Sequence, residues 1–172
     1  ENESKRLGRY WGMKWENSIC EELATAVNNE MIEIQELLNS LPQITKNENF
    51  RYKKHEIIKL DLLICYIKRK SNLLLIGRQN GVLLLADLTQ ACTETLKIAE
   101  AAGVESAANI PPSGEISLEI ALILYDFFHQ LLDELISYKK SYIFWQIILN
   151  NEIIKLIIYI DVDSEENLRL EN

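Results

Sequence analysis

Apolar residues recur along this chain with two different periods, and the change from one to the other divides it. Ile19, Leu23, Val27, Met31, Ile34, Leu38 and Leu41 follow one another at spacings of three or four, with Glu and Asn filling much of the gaps. That pattern predicts an amphipathic helix. Pro42 and the polar stretch Thr45-Lys46-Asn47-Glu48-Asn49 end it. A second helical arm carries Ile57, Leu60, Ile64, Ile67, Ser71 and Leu74 in the alternating three–four step of a coiled-coil seam. Ile58, Leu62 and Cys65 add a second apolar line to the same arm. An antiparallel helical hairpin over residues 16–76 gives that arm one neighbour only, whereas two hairpins paired into a four-helix bundle would cover both lines. A homodimer through this region is therefore predicted. The alternative is that the second line packs on the C-terminal part of the same chain.

From Gly77 the character changes. Gly77 and Asn80-Gly81 mark a turn. An amphipathic helix over Leu88–Ala102 follows, with Asp87 or Thr89 available to cap it and Gly103 to end it in the left-handed region. Val104–Ile110 is short and partly alternating, which predicts a strand, and Pro111, Pro112, Ser113 and Gly114 predict a turn. A long apolar helix is expected over Leu118–Ile136. Tyr142–Leu149 and Glu152–Asp161 read as strands of a β-hairpin turning at Asn150-Asn151, and Leu168–Leu170 as a further edge strand. Helices on one face of a mainly antiparallel sheet make an α+β sandwich. The expected division is a helical dimerisation part, residues 1–76, and an α+β part, residues 77–172.

The totals narrow the class. At 172 residues, 48% hydrophobic and 26% charged, the chain can pack a core and is not of disordered composition. A net charge of −8 supplies no basic excess for nucleic acid. Cys20, Cys65 and Cys92 form no CxxC pair, which favours reduced thiols over a disulfide framework or a zinc site. Ile116–Leu132 is nearly apolar but holds Glu119, Asp126 and His129, so it reads as a buried helix rather than a membrane span. The chain opens on Glu1-Asn2-Glu3-Ser4 without methionine, and we expect a fragment of a longer protein. Arg6, Arg9, Tyr10, Trp11, Lys14 and Trp15 are basic and aromatic. They suit a helix leading from a sensor or membrane-proximal segment, and equally a frayed end.

Several residues together resemble the transmitter region of bacterial sensor histidine kinases. Tyr66-Ile67-Lys68-Arg69-Lys70-Ser71-Asn72-Leu73 is similar to a run in the dimerisation hairpin of one branch of that family. Gly103-Val104, Ile110-Pro111 and Leu124-Tyr125 follow in the family's order, over roughly residues 16–163. The resemblance implies a dimerising helical hairpin followed by a histidine kinase-like ATPase sandwich, with ATP and Mg²⁺ as cofactors.

The site residues depart from that pattern. The family's phospho-accepting histidine lies in the first hairpin helix, where this chain has Ala24 and Thr25 near the equivalent place and no histidine. His55, followed by Glu56, is chemically suited to accept a phosphoryl group, although Lys53 and Lys54 also suit a solvated helix face. His129 reads as a core histidine with its polar atoms satisfied. Counting from Leu124-Tyr125, the family's glutamate falls on Gln130 and its Mg²⁺-holding asparagine on Glu134, with Ser137 and Tyr138 in place of a Lys-His pair. Glu134 could still ligate Mg²⁺, but without the metal its carboxylate repels a triphosphate. Asp161 or Asp163 takes the adenine-binding aspartate position, but Val162, Ser164 and Glu165 stand where glycine is expected. Asp163–Asn172 contains no glycine, so it lacks the residues of a phosphate-cradling lid. Asp133-Glu134 and Glu165-Glu166 are adjacent acids on different faces of any helix.

The expectation is a cytoplasmic, dimeric module of a two-component signalling protein with a degenerate ATP site, cut from a membrane-anchored or larger sensor. Its partners would be a response regulator or a partner kinase. The competing expectation is an active histidine kinase that uses His55 and altered nucleotide contacts. A helical adaptor whose sheet part binds peptide or protein is the third.

Overall fold

The computed structural model describes residues 18–40, 50–78, 80–111, 113–138, 140–150 and 153–163, with side chains from 54 onward in the second of these stretches. These residues form a mixed α+β molecule with two sheets. Helix α1 (residues 18–26) passes through a turn at Val27 into α2 (Asn28–Ser40). Then come α3 (Phe50–Gly77), β1 (Val82–Leu84), α4 (Leu85–Glu100) and β2 (Val104–Asn109). The chain continues through β3 (Glu115–Ser117), α5 (Leu118–Leu135), β4 (Ser141–Asn150) and β5 (Ile153–Val162).

Helices α1 and α2 run antiparallel to α3, because Arg78 pairs with Glu22 at one end and Lys59 with Glu33, at 2.8 Å, nearer the other. The apolar line Ile58 and Leu62 of α3, with Tyr66 and Leu73, lies in one core with residues of α4, α5 and β4. The second line thus finds its cover inside the chain, which was the alternative to a four-helix bundle. Ile57 and Ile64, on the seam itself, stay exposed.

In the larger sheet β4 is central, parallel to β2 and antiparallel to β5. Its period-two pattern puts Ile143, Trp145 and Ile147 into the core, where Phe128 of α5 meets Trp145 edge-on with ring centroids 4.7 Å apart. The smaller sheet is the antiparallel pair β1–β3.

Two local expectations need correction. Neither Asp87 nor Thr89 caps α4, which begins at Leu85 after Leu84 with no side-chain cap. The N–H of Leu85 donates instead to Gly114 O at 3.0 Å, so the β1–β3 region runs straight into the helix, and Thr89 Oγ1 turns back to Leu85 O at 2.8 Å. In the β4–β5 hairpin, Asn150 pairs with Ile153, so the connection is residues 151–152 rather than Asn150-Asn151. Gly103, at φ 103°, ends the α4 segment in the left-handed region as expected. The N–H of Gly81 donates to Gly77 O at 2.7 Å, and Leu118 N–H donates to Gly81 O at 2.9 Å. These bonds hold the end of α3 against the start of α5. A Cβ on Gly77 would lie 2.6 Å from Leu118 Cδ1, so any larger residue here requires the Leu118 side chain to shift.

Candidate functional site

Helix α5 has two neighbouring sides of different character. Its apolar run should bury, yet Asp126, His129 and Asp133 interrupt it at helical spacing and so fall along one side. That side meets α3. Tyr66 Oη donates to Asp126 Oδ1 at 2.7 Å, while Lys70 Nζ donates to Tyr66 Oη at 2.8 Å and to Asp126 Oδ2 at 3.0 Å. The three groups close a triangle in which the buried ammonium has its counter-charge. Burial, then the hydrogen bond to Asp126, pushes the Tyr66 hydroxyl well above the ordinary phenol range, so it stays protonated.

Beside this triangle the His129 ring stacks on Tyr66 with centroids 4.0 Å apart. His129 is 7% exposed, and its Nδ1 has no hydrogen-bond partner among the described residues. The expectation of a satisfied core histidine is met in its burial and not in its bonding. Burial pulls the imidazole down to about 4, against the carboxylates of Glu33 and Asp126. At neutral pH it is an uncharged ring. Further along, Lys59 lies 2.8 Å from Glu33 and 3.7 Å from Asp133. Burial raises the Asp133 carboxyl more than Lys59 lowers it. For Lys59, burial acts downward but the hydrogen bond to Glu33 and the field of Asp133 outweigh it, leaving the ammonium raised.

Two further contacts tie α4 into the cluster. Thr95 Oγ1 donates to Ala91 O at 2.9 Å and so accepts from the Tyr125 hydroxyl, also at 2.9 Å. Arg69 of α3 pairs with Glu94 of α4. Arg69, Asn72, Asp87 and Gln90 border a groove of about 280 Å³ between these helices.

The solvent side of α5, about 100° round the helix from the side that meets α3, carries the positions that the resemblance singled out. Gln130 and Glu134 are exposed one turn apart, in line with Ile123 and Phe127, which are 60% and 44% exposed. Asp161 and Asp163 are exposed at the far end of β5. That end pairs with the start of β4, and β4 follows the end of α5, so topology brings Glu134, Asp161 and Asp163 to one end of the molecule. No hydrogen bond or ion pair joins their side chains among the described residues. Ser137 Oγ donates to Glu134 O at 2.6 Å and closes the helix end. Of the positive-φ glycines, Gly81 and Gly114 lie near the start of α5, whereas Gly103 precedes Val104, the partner of Ser141, and so lies at this end. In this stripe Glu134 is the acid that could meet a magnesium ion, and without the metal its carboxylate repels a triphosphate.

No protein-family model matches this chain, and neither does any curated protein.

His55 lies one turn before Lys59 on α3, partly exposed, with Nδ1 3.9 Å from Glu56 Oε1. Ala24 and Thr25 are exposed on α1, and Thr25 Oγ1 donates to Glu21 O at 2.8 Å. Among the described residues no three His, Cys, Asp or Glu side chains group as a metal site requires, and no helix is long and apolar enough to cross a membrane. Cys20, Cys65 and Cys92 are free thiols. Residues 1–15, Asn151, Ser164, Glu165-Glu166 and Leu168–Leu170 lie outside the described residues.

Sequence reasoning passed over the Tyr66–Lys70–Asp126 triangle. The signal was there in two halves: Tyr66 and Lys70 are four apart on one helix, and a lone Asp126 interrupts an apolar helix. A buried charge demands a partner.

Proposed function

We propose that this chain is the dimerisation and ATPase-like region of a two-component signalling protein related to sensor histidine kinases, with a nucleotide site that no longer binds ATP. It would comprise a dimerisation hairpin, residues 1–76, and a degenerate histidine kinase-like ATPase sandwich, residues 77–172. The observation that carries the proposal is the outward face of α5, where Gln130 and Glu134 align with the exposed Ile123 and Phe127. The order of elements from α4 through β5 supports the ancestry: helix, left-handed Gly103, strand, long helix, then an antiparallel pair. The triangle across α3 and α5 supports a signalling role, since it couples the helical part to the sheet part through charges that resist separation.

In this reading the cytoplasmic module pairs as a homodimer through the exposed seam residues Ile57 and Ile64, with Met31 and Leu38 of α2 also open. It addresses a response regulator or a partner kinase. Calorimetric titration with ATP and ADP, with and without Mg²⁺, tests the lost site: no heat of binding is expected, and micromolar affinity would sink the proposal. A second reading, an active kinase, draws on the partly exposed His55 beside Glu56. Acid-labile label from ATP that disappears in His55→Ala would establish it.

A further inference from the structure

We infer that the open edge of β5 pairs with β5 of a second copy of this chain, antiparallel about a two-fold axis through Ile158, joining two three-stranded sheets into one. The contact is separate from pairing through α3. Strand β5 follows β4 in unbroken register from Ile153 to Val162, and no strand covers its other edge among the described residues. Of the devices that protect an edge, proline and a bulge are absent, and charge is confined to Lys155 and Asp161. Its side chains remain open, with Ile153 69% and Tyr159 58% exposed.

Charge chooses the occupant and the register. Lys155 and Asp161 are the only charged residues in β5, both exposed and on the same face, three positions either side of Ile158. A two-fold axis at Ile158 sets each Lys155 opposite Asp161 of the second copy, so two ion pairs form at once. The same register sets Ile157 opposite Tyr159, a favourable aromatic and β-branched pair, and on the other face Leu156 opposite the exposed Ile160. Moving the axis to Ile157 sets Lys155 against Tyr159 and Asp161 against Ile153. Moving it to Tyr159 leaves Asp161 against Ile157. Only the register centred on Ile158 pairs both charges, and it spans nearly the whole strand.

The test is sedimentation velocity on the full chain carrying Ile57→Lys and Ile64→Lys, which removes association through α3. Three variants are compared in that background: Lys155→Asp, Asp161→Lys and the double exchange. The parent is expected to dimerise, each single exchange to weaken dimerisation at least tenfold, and the double exchange to restore it. An equimolar mixture of the two single exchanges should dimerise although neither does alone, because the mixed pair is again complementary. A monomeric parent would overturn the inference. So would dimerisation indifferent to the three variants, which would assign the edge to another strand, or a mixture no tighter than its components. Circular dichroism of each variant confirms that the fold persists.

Discussion

The two faces of α5 differ in what became of their polar groups. Toward α3, Asp126 is matched by Tyr66 and Lys70 at hydrogen-bonding distance, and the uncharged His129 ring lies flat on Tyr66. Away from α3, Gln130 and Glu134 are exposed beside Ile123 and Phe127. One side of the helix is a hydrogen-bonded joint and the other is open to solvent. In the proposed reading, a module that transmits position rather than phosphoryl groups needs the first and does without a phosphate site.

Adjacent aromatic residues, Phe128 against Trp145 of β4 and Phe127 on the outer side, give the largest test of how open that outer side is. Phe128→Ala on the buried side should cost about 3–5 kcal/mol in urea unfolding, while Phe127→Ala on the outer side should cost well under about 1 kcal/mol. Equal losses would mean that the outer face is covered. Next is acid sensitivity. Unfolded His129 takes up its proton near 6.5 and folded His129 only at about 4, so the unfolded state binds more protons between these values. Stability should therefore fall as pH drops through that window, by about 3 kcal/mol at pH 4 from this group. Asp133, raised by burial, acts in the opposite sense at the acid end, because its folded carboxyl takes up a proton first. Unfolding curves at pH 7, 5.5 and 4.5 measure the slope, and His129→Phe, which keeps a stacked ring, should flatten it.

A smaller effect is expected at the joint. Asp126→Asn leaves the Lys70 ammonium without its counter-charge and should cost about 1–3 kcal/mol. Tyr66→Phe, which leaves Lys70 and Asp126 in contact, should cost about 1 kcal/mol. A larger loss for Tyr66→Phe than for Asp126→Asn would shift the weight from charge to stacking. Smallest of all, Glu134→Ala should change stability by less than about 0.5 kcal/mol.

Long, strongly periodic segments were legible in the sequence. Helices α4 and α5 and strands β4 and β5 fall within a few residues of their expected places, and Gly103 marks the turn it was expected to mark. The β4–β5 turn was misplaced by one residue for a physical reason. Both placements leave Ile143, Trp145 and Ile147 on the inner face opposite apolar residues of β5, so alternation cannot choose between them. Strands β1 and β3 were invisible because three residues carry no period, and backbone bonds around Gly81 and Gly114 hold the region together. The destination of Ile58 and Leu62 was open because periodicity states that a face is buried and not by what. At the candidate site the resemblance marked Gln130, Glu134, Asp161 and Asp163 as the nucleotide-binding positions, whereas the Tyr66–Lys70–Asp126 triangle required two distant segments to be brought together.

The close approach of Gly77 to Leu118 has a mechanical consequence. The Leu118 side chain fills the space over Gly77, so α3 and the root of α5 are spaced by a single leucine. Substituting alanine at Gly77 would force that leucine to shift and loosen the joint before the fold failed.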